Sequence, residues 1–187
     1  MTLPSVRANV RQAIVSYLQG KIVAGVQPQN QTIPYLANVY GFPMKVTNED
    51  ELYLEDGVGN GAAIWLYFPE SVDHLVELPG NYKTSGRTGK AVEITCTLIC
   101  IFRSQEPTSQ AVGLAAESFV DGLCNAIRED PNAGNPSVIF QWGLGSFPNG
   151  GPDLRTTQLM PRPVKGRAAV TDVESHVEVT VVSFIDS

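Results

Sequence analysis

Near the N-terminus, Val6, Val10, Ala13, Ile14, Tyr17 and Leu18 recur at the three- and four-residue spacing of one helix face, while Arg7, Asn9, Arg11, Gln12 and Ser16 take the other side. This predicts a surface helix with one packed face, opened near Pro4 and Ser5 and stopped at Gly20. Further along, the period changes to two. From Lys90 onward, Val92, Ile94, Cys96, Leu98, Cys100 and Phe102 alternate with Glu93, Thr95 and Thr97, which predicts a strand with one dry face. Ile64–Phe68 (IWLYF) is apolar on both faces and reads as an interior strand. A second helix is expected from about Ser109 to Arg128, with Val112, Ala116, Phe119, Leu123 and Ile127 along its stripe and Asp130-Pro131 as its stop. Gly113 and Gly122 each weaken it by about 1 kcal/mol relative to alanine, which close packing on the sheet would offset. The apolar run Val138–Trp142 and the alternating run Val173 to Phe184 predict two further strands.

The connections are long. Lys21–Gly61 is punctuated by Pro28, Pro34 and Pro43 and carries an apolar knot of Tyr35, Leu36, Val39, Tyr40 and Phe42. Forty residues of bare connection are unusual in a compact domain, so short strands or a turn of helix are expected here, packed against the sheet edge. Leu78–Gly89 (LPGNYKTSGRTG) reads as a long hairpin tip with Asn81, Tyr82, Lys83, Arg87 and, at its foot, Lys90, an arm that is costly to order unless it meets a partner. A second Gly/Pro-rich excursion, Gly143 to Thr171, carries Arg155, Arg162, Lys165 and Arg167. The expected fold is α+β: one domain over residues 1–187, a mostly antiparallel sheet with the N-terminal helix and the second helix packed on it.

A chain of 187 residues with 43% hydrophobic content is long enough for one buried core. The net charge of −6 argues against a sequence-reading nucleic-acid binder, since phosphate contacts need a basic surface. It is compatible with a polyanion sliding past a negative wall. Three cysteines give no disulfide framework and fit a reducing compartment. The N-terminus, MTLPSVRANVRQ, has no apolar signal core, and no apolar run approaches membrane-spanning length, so a protein made in the cytoplasm is expected.

The chemical motifs are weak. Cys96 and Cys100 lie four residues apart on a strand, about 13 Å, too far for one tetrahedral zinc. They read as small core hydrophobes. Gly57-Val58-Gly59-Asn60-Gly61 echoes a dinucleotide loop but precedes a strand instead of joining a strand to a helix. Gly89-Lys90 lacks the earlier glycine and the following hydroxyl of a phosphate loop. His74 and His176 stand far apart, and His176, between Glu174 and Glu178, reads as a solvent-facing or interface residue. Glu49, Asp50, Glu51, Glu55 and Asp56 form an acidic cluster without the ligand spacing of a calcium loop. No catalytic residue, cofactor site or metal site is expected.

The order of helix, loop-rich segment, strand, long hairpin, strand, helix and two strands resembles the tail terminator proteins of long-tailed double-stranded DNA bacteriophages. Four stretches carry the resemblance to the terminators and neck proteins of actinobacterial phages: LANVYGFP at Leu36–Pro43, IWLYFPE at Ile64–Glu70, AIREDPNAGNPSVIFQWGLG at Ala126–Gly145, and the closing VESHVEVTVV. The resemblance implies a non-enzymatic virion protein at the tail–neck junction. It would form a homo-oligomeric, six-membered ring that caps the head-proximal end of the tail tube and offers a surface to the head-completion or stopper protein. The arm with Asn81, Tyr82, Lys83, Arg87 and Lys90 would be a docking loop, and Ser146–Arg167, with Arg155, Arg162, Lys165 and Arg167, a second one. Genomic DNA would pass through without specific binding, with Glu49–Asp56 as a candidate acidic lumen. The alternatives are another neck, tail-completion or head–tail connector protein and, in a different class, a small enzyme or ligand-binding domain using His74 or His176.

Overall fold

The computed structural model of the chain describes residues 6–42, 60–75, 90–105, 108–139, 141–143, 154–158, 161–164 and 167–185. Helix α1 covers Val6–Gln19 and is followed by a single 3-10 turn, Pro28–Asn30. Strands β1 (Leu36–Tyr40), β2 (Gly61–Leu75) and β3 (Lys90–Ser104) precede helix α2 (Ser109–Glu129). Strands β4 (Gln141–Trp142), β5 (Arg155–Gln158), β6 (Arg162–Val164) and β7 (Arg167–Ile185) complete the chain. The sheet runs β1-β2-β3-β7-β4, with β5 and β6 also paired to β7. Only the β1–β2 pair is parallel; the other pairs among the described residues are antiparallel.

The central ladder joins β3 to β7, in unbroken register from Lys90 opposite Ile185 to Ser104 opposite Thr171. Alternation then assigns the faces. Ile94, Cys96, Leu98, Cys100 and Phe102 lie buried on one face, level with Val181, Val179, Val177, Ser175 and Val173. Both helices cover this face. Val10, Ala13, Ile14 and Leu18 of α1, and Val112, Ala116, Phe119, Leu123, Cys124, Ala126 and Ile127 of α2, join one core with it. Thr108 caps α2, its hydroxyl accepting from the Ala111 amide at 3.2 Å.

On its other side β3 pairs with β2, whose register shifts between Tyr67 and Glu70. Phe68 and Pro69 therefore stand opposite Cys96, a β-bulge that accommodates a proline with no amide hydrogen to give the ladder. Arg11 of α1 secures this place. Its guanidinium donates to the Leu66 carbonyl at 2.9 Å and to the Gly41 carbonyl, and lies 4.0 Å over the ring of Phe42 and 4.2 Å over that of Phe68. One side chain thus ties the first helix to the end of β1 and to the bulge. Partial burial lowers the Arg11 pKa from its ordinary value, an effect opposed by the Cys96 sulfur.

The expectation for Lys21–Gly61 holds as far as it can be followed: a helical turn and an edge strand occupy it up to Phe42. Tyr35 adopts a positive φ of 64° at the entry to β1, where its amide donates to the Pro28 carbonyl at 2.7 Å and its carbonyl accepts from Ala62 at 2.9 Å. Three expectations are corrected. Val138 and Ile139 belong to a turn, not a strand, because the Asn135 carbonyl takes up their amides, and among the described residues of the run only Gln141–Trp142 is extended. The excursion expected as a loop between Gly143 and Thr171 contains β5 and β6, and β7 begins at Arg167 instead of Val173. Its polar residues pair through backbone groups with a neighbour whose other edge is already held. The two helix glycines also differ from expectation. A β-carbon on Gly122 would meet Pro34 Cδ at 2.5 Å, in the segment before β1 and not in the sheet, whereas one on Gly113 would meet nothing within 4 Å.

Gly122→Ala is therefore expected to destabilise the protein by about 1–3 kcal/mol through overpacking. Gly113→Ala is expected to stabilise it by up to about 1 kcal/mol. Urea denaturation of the two variants beside the parent measures both signs; equal shifts for the two sites would contradict this packing.

Candidate interaction surfaces

The sequence-predicted positions divide into two groups. Asn81, Tyr82, Lys83, Arg87 and Lys165, and the acidic cluster Glu49, Asp50, Glu51, Glu55 and Asp56, lie outside the described residues. Lys90 begins β3, Arg155 begins β5, Arg162 begins β6 and Arg167 begins β7. Four residues assigned to docking loops thus sit at strand starts, and β2 and β3 form an antiparallel hairpin up to Leu75 opposite Lys90.

Both edges of the sheet are finished in ways that oppose strand addition. β1 has five residues, and two outward carbonyls are occupied: Gln19 Nε2 donates to Val39 at 3.2 Å, and Arg11 donates to Gly41 just beyond the strand. The outer edge of β7 is covered by β4, β5 and β6 placed end to end, of two, four and three residues. β5 is exposed along its length and begins with Arg155; β6 carries Arg162 and Pro163. Short strands, charges and proline are the devices by which sheet proteins keep their edges from templating another chain.

A third surface is the sheet face turned away from both helices. It carries Tyr40, Trp65 and Ile101 packed on the buried Ala63, a second apolar cluster divided from the main core by the sheet, and the register puts Tyr67 and Ile99 on the same face. Burial raises the Tyr40 pKa above its ordinary value. Across β7 the same face shows Glu174, His176 and Glu178, with His176 Nε2 2.7 Å from Glu174 Oε1. At one end Arg103, 2% exposed, holds Asp172 through two contacts of 2.7 and 2.8 Å, a bidentate pair that satisfies a buried charge. His176 is half-exposed, as the sequence suggested; His74 lies on β2.

The stretch Ala126–Gly145, with the most extended resemblance, is described to Gly143 apart from residue 140 and turns out to be a locked corner. Asp130 accepts from the Asn132 amide at 3.0 Å and the Gly134 amide at 2.9 Å, while its carbonyl accepts from Trp142 Nε1 at 2.6 Å. Asn132 Nδ2 donates to Ile139, Ser183 Oγ to Val138, and the Trp142 amide to Pro131. Tyr17 of α1 closes the corner, donating to the Ala126 carbonyl at 2.6 Å and meeting Trp142 edge-on at 5.6 Å. Gly143 is required by its φ of 71° and by the Ile127 methyl, which a β-carbon would meet at 2.6 Å. These polar groups hold the chain together and leave the corner a structural element. An open groove of about 460 Å³ runs between it and α1, lined by neutral side chains including Asn9, Gln12, Ser16 and Asn135.

Cys96, Cys100 and Cys124 are free and buried. Burial pushes all three thiols up, with the Cys124 charge adding to the effect at Cys100 and Arg11 opposing it at Cys96. Among the described residues no group of three or more His, Cys, Asp or Glu is placed to hold a metal ion, and no helix is long and apolar enough to cross a membrane. No protein-family model matches the chain, and comparison with curated proteins finds no match.

The three thiols are expected to resist a neutral thiol reagent at pH 8 in the folded protein and to react together after denaturation. Their contribution to stability is fully present below the ordinary thiol value of 9.0 and declines as pH rises past it, because only the unfolded chain ionises there. A thiol that reacts rapidly in the folded state contradicts the burial. Replacing Arg155, Arg162 and Pro163 together by valine is expected to open the β5–β6 edge and give concentration-dependent self-association in sedimentation. A variant that sediments as the parent does would show that these residues are not the barrier.

Proposed function

We propose that this chain is a tail terminator of a long-tailed double-stranded DNA bacteriophage, a structural protein that ends tube growth. The observation that carries the reading is the finish of the two sheet edges. A subunit that extends a tube must offer its successor contacts like those it accepted from its predecessor. A subunit that stops the tube must accept without offering, and a sheet whose edges are occupied, short, charged and proline-bearing suits that role. Further support comes from the α+β architecture, with both helices on one face of a mostly antiparallel sheet and the other face carrying an apolar cluster.

In this proposal six copies close a ring through head-to-tail contacts on the head-proximal end of the tube. One side of the ring binds the last ring of tail-tube protein, and the other presents a new surface to the head-completion or stopper protein. The segment Asn81–Lys90 and the strand-borne Arg155, Arg162 and Arg167, with Lys165, are the candidate docking elements. Glu49, Asp50, Glu51, Glu55 and Asp56 are candidates for an acidic lumen through which DNA passes unheld. The protein would be made in the host cytoplasm and carried in the virion neck.

Mixing the purified chain with the tail-tube protein of the same phage and imaging the products by negative-stain electron microscopy tests this. Short tubes bearing a distinct ring at one end are expected. Uncapped tubes of indefinite length at any ratio of the two proteins would overturn the proposal.

A further inference from the structure

We propose that the pocket between α2 and β5 is a binding site for a guanidinium group. It has a volume of about 240 Å³ and is lined by Glu117, Val120 and Asp121 of α2, Thr156, Thr157 and Gln158 of β5, and Ser175 of β7. Register explains how these groups meet. Thr156 stands opposite Val177 and Gln158 opposite Ser175, so both fall on the side of the sheet that faces the helices.

The floor carries the observation that points to a ligand. Ser175 is 3% exposed and lies between the buried valines Val173 and Val177. Other polar side chains buried among the described residues are satisfied: Arg103 holds Asp172, the Ser104 hydroxyl donates to Asn60, and Ser183 donates to the Val138 carbonyl. The Ser175 hydroxyl has no such partner among the described residues and lines the pocket. A buried hydroxyl left unpaired is costly, and a bound donor would satisfy it.

The rim supplies charge. Glu117 and Asp121 lie one turn apart on α2, with β-carbons about 5–6 Å from one another. Both are exposed, and neither is in an ion pair among the described residues. Arg128 follows Asp121 by two turns, about 10 Å along the helix. Arg103, Arg155 and Arg162 take register positions on the opposite face, level with Asp172 and Glu178. Arg167 begins β7 about 26 Å before Ser175, and Lys165 lies outside the described residues. The pocket thus sets two carboxylates beside hydroxyl and amide oxygens. A guanidinium carries five donors in one plane and spans both carboxylates, whereas an ammonium is a compact point charge. Val120 suits the methylene stem behind it. A metal ion fits less well, because no third carboxylate, histidine or thiol joins the pair among the described residues. Such a group arrives either on an arginine of another protein or as a small free guanidine. The inference stands whether or not the chain caps a tube.

The test titrates the whole chain with four probes, followed by backbone-amide NMR: arginine blocked at both ends, ethylguanidinium, blocked citrulline and calcium chloride. Blocked arginine and ethylguanidinium are expected to shift the amides of Glu117–Asp121, β5 and Ser175, and the uncharged citrulline to bind at least tenfold more weakly. Tighter binding of blocked arginine than of ethylguanidinium supports the site and assigns it to a protein side chain. Equal or tighter binding of ethylguanidinium supports it and assigns it to a small molecule. Glu117→Gln with Asp121→Asn should weaken binding at least tenfold. The same charge loss elsewhere, Glu70→Gln with Glu129→Gln, should alter it less than twofold. Ser175→Val, which removes the hydroxyl and fills the floor, should leave the chain folded and weaken binding several-fold. Equal binding of arginine and citrulline, shifts confined to other elements, or equal losses from the two double variants would overturn the proposal. So would unchanged binding by Ser175→Val, or calcium that shifts the same amides and displaces blocked arginine.

Discussion

The pairing of β3 with β7 is the constraint on which the other elements depend. Two long strands aligned without a bulge fix which side chains face the helices and which face away. A slip of one residue would exchange the two sets and turn Leu98 and Phe102 outward with Glu93 and Thr95 inward. The helices find an apolar floor because the register holds, and β2 on one flank and β4, β5 and β6 on the other inherit their faces from the same pair. The irregularities lie at the periphery. The bulge is on β2, where Arg11 can satisfy the Leu66 carbonyl, and the interrupted strand is on the outer edge of β7.

A second constraint is the junction of α1, α2 and the sheet. Asp130 ends α2, turns the chain and supplies the carbonyl that receives the Trp142 indole, while Tyr17 reaches across from α1 to the last turn of α2. Any conformation of Asp130–Gly143 that lost these bonds would leave polar groups unpaired beside a buried tryptophan, at a cost of about 1–3 kcal/mol for each buried group left unsatisfied. This accounts for the density of Asp, Pro, Asn and Gly in a short stretch by folding alone.

Much of this architecture was legible in the sequence, for identifiable reasons. The stripes of both helices and the alternation of Val92 to Phe102 are periodic signals, and each places its buried residues on the core side. Asp130-Pro131 marked the end of α2 because a residue before proline avoids the helical region. β5 and β6 were not legible: RTTQ and RPV have no apolar alternation and are strands because β7 offers them a ladder. The run IWLYF, apolar on both sides, read as an interior strand, and β2 does lie between β1 and β3. In the fold Ile64, Leu66 and Phe68 meet the helices, while Trp65 and Tyr67 lie on the face that no described helix covers. The corner's hydrogen bonds could not be read either, since they depend on where Asn132, Ser183 and Tyr17 arrive in space.

The placement of the chain's two tryptophans has an optical consequence. Trp142 is fully buried, its indole nitrogen donating to a carbonyl beside an edge-on tyrosine, whereas Trp65 is partly buried on the opposite side of the sheet. Intrinsic emission of the folded protein is thus the sum of two populations, one sensing the corner and one sensing the face away from the helices. The two indoles therefore report on opposite sides of the sheet, and replacing one at a time separates the signal of the corner from that of the other face without an added label.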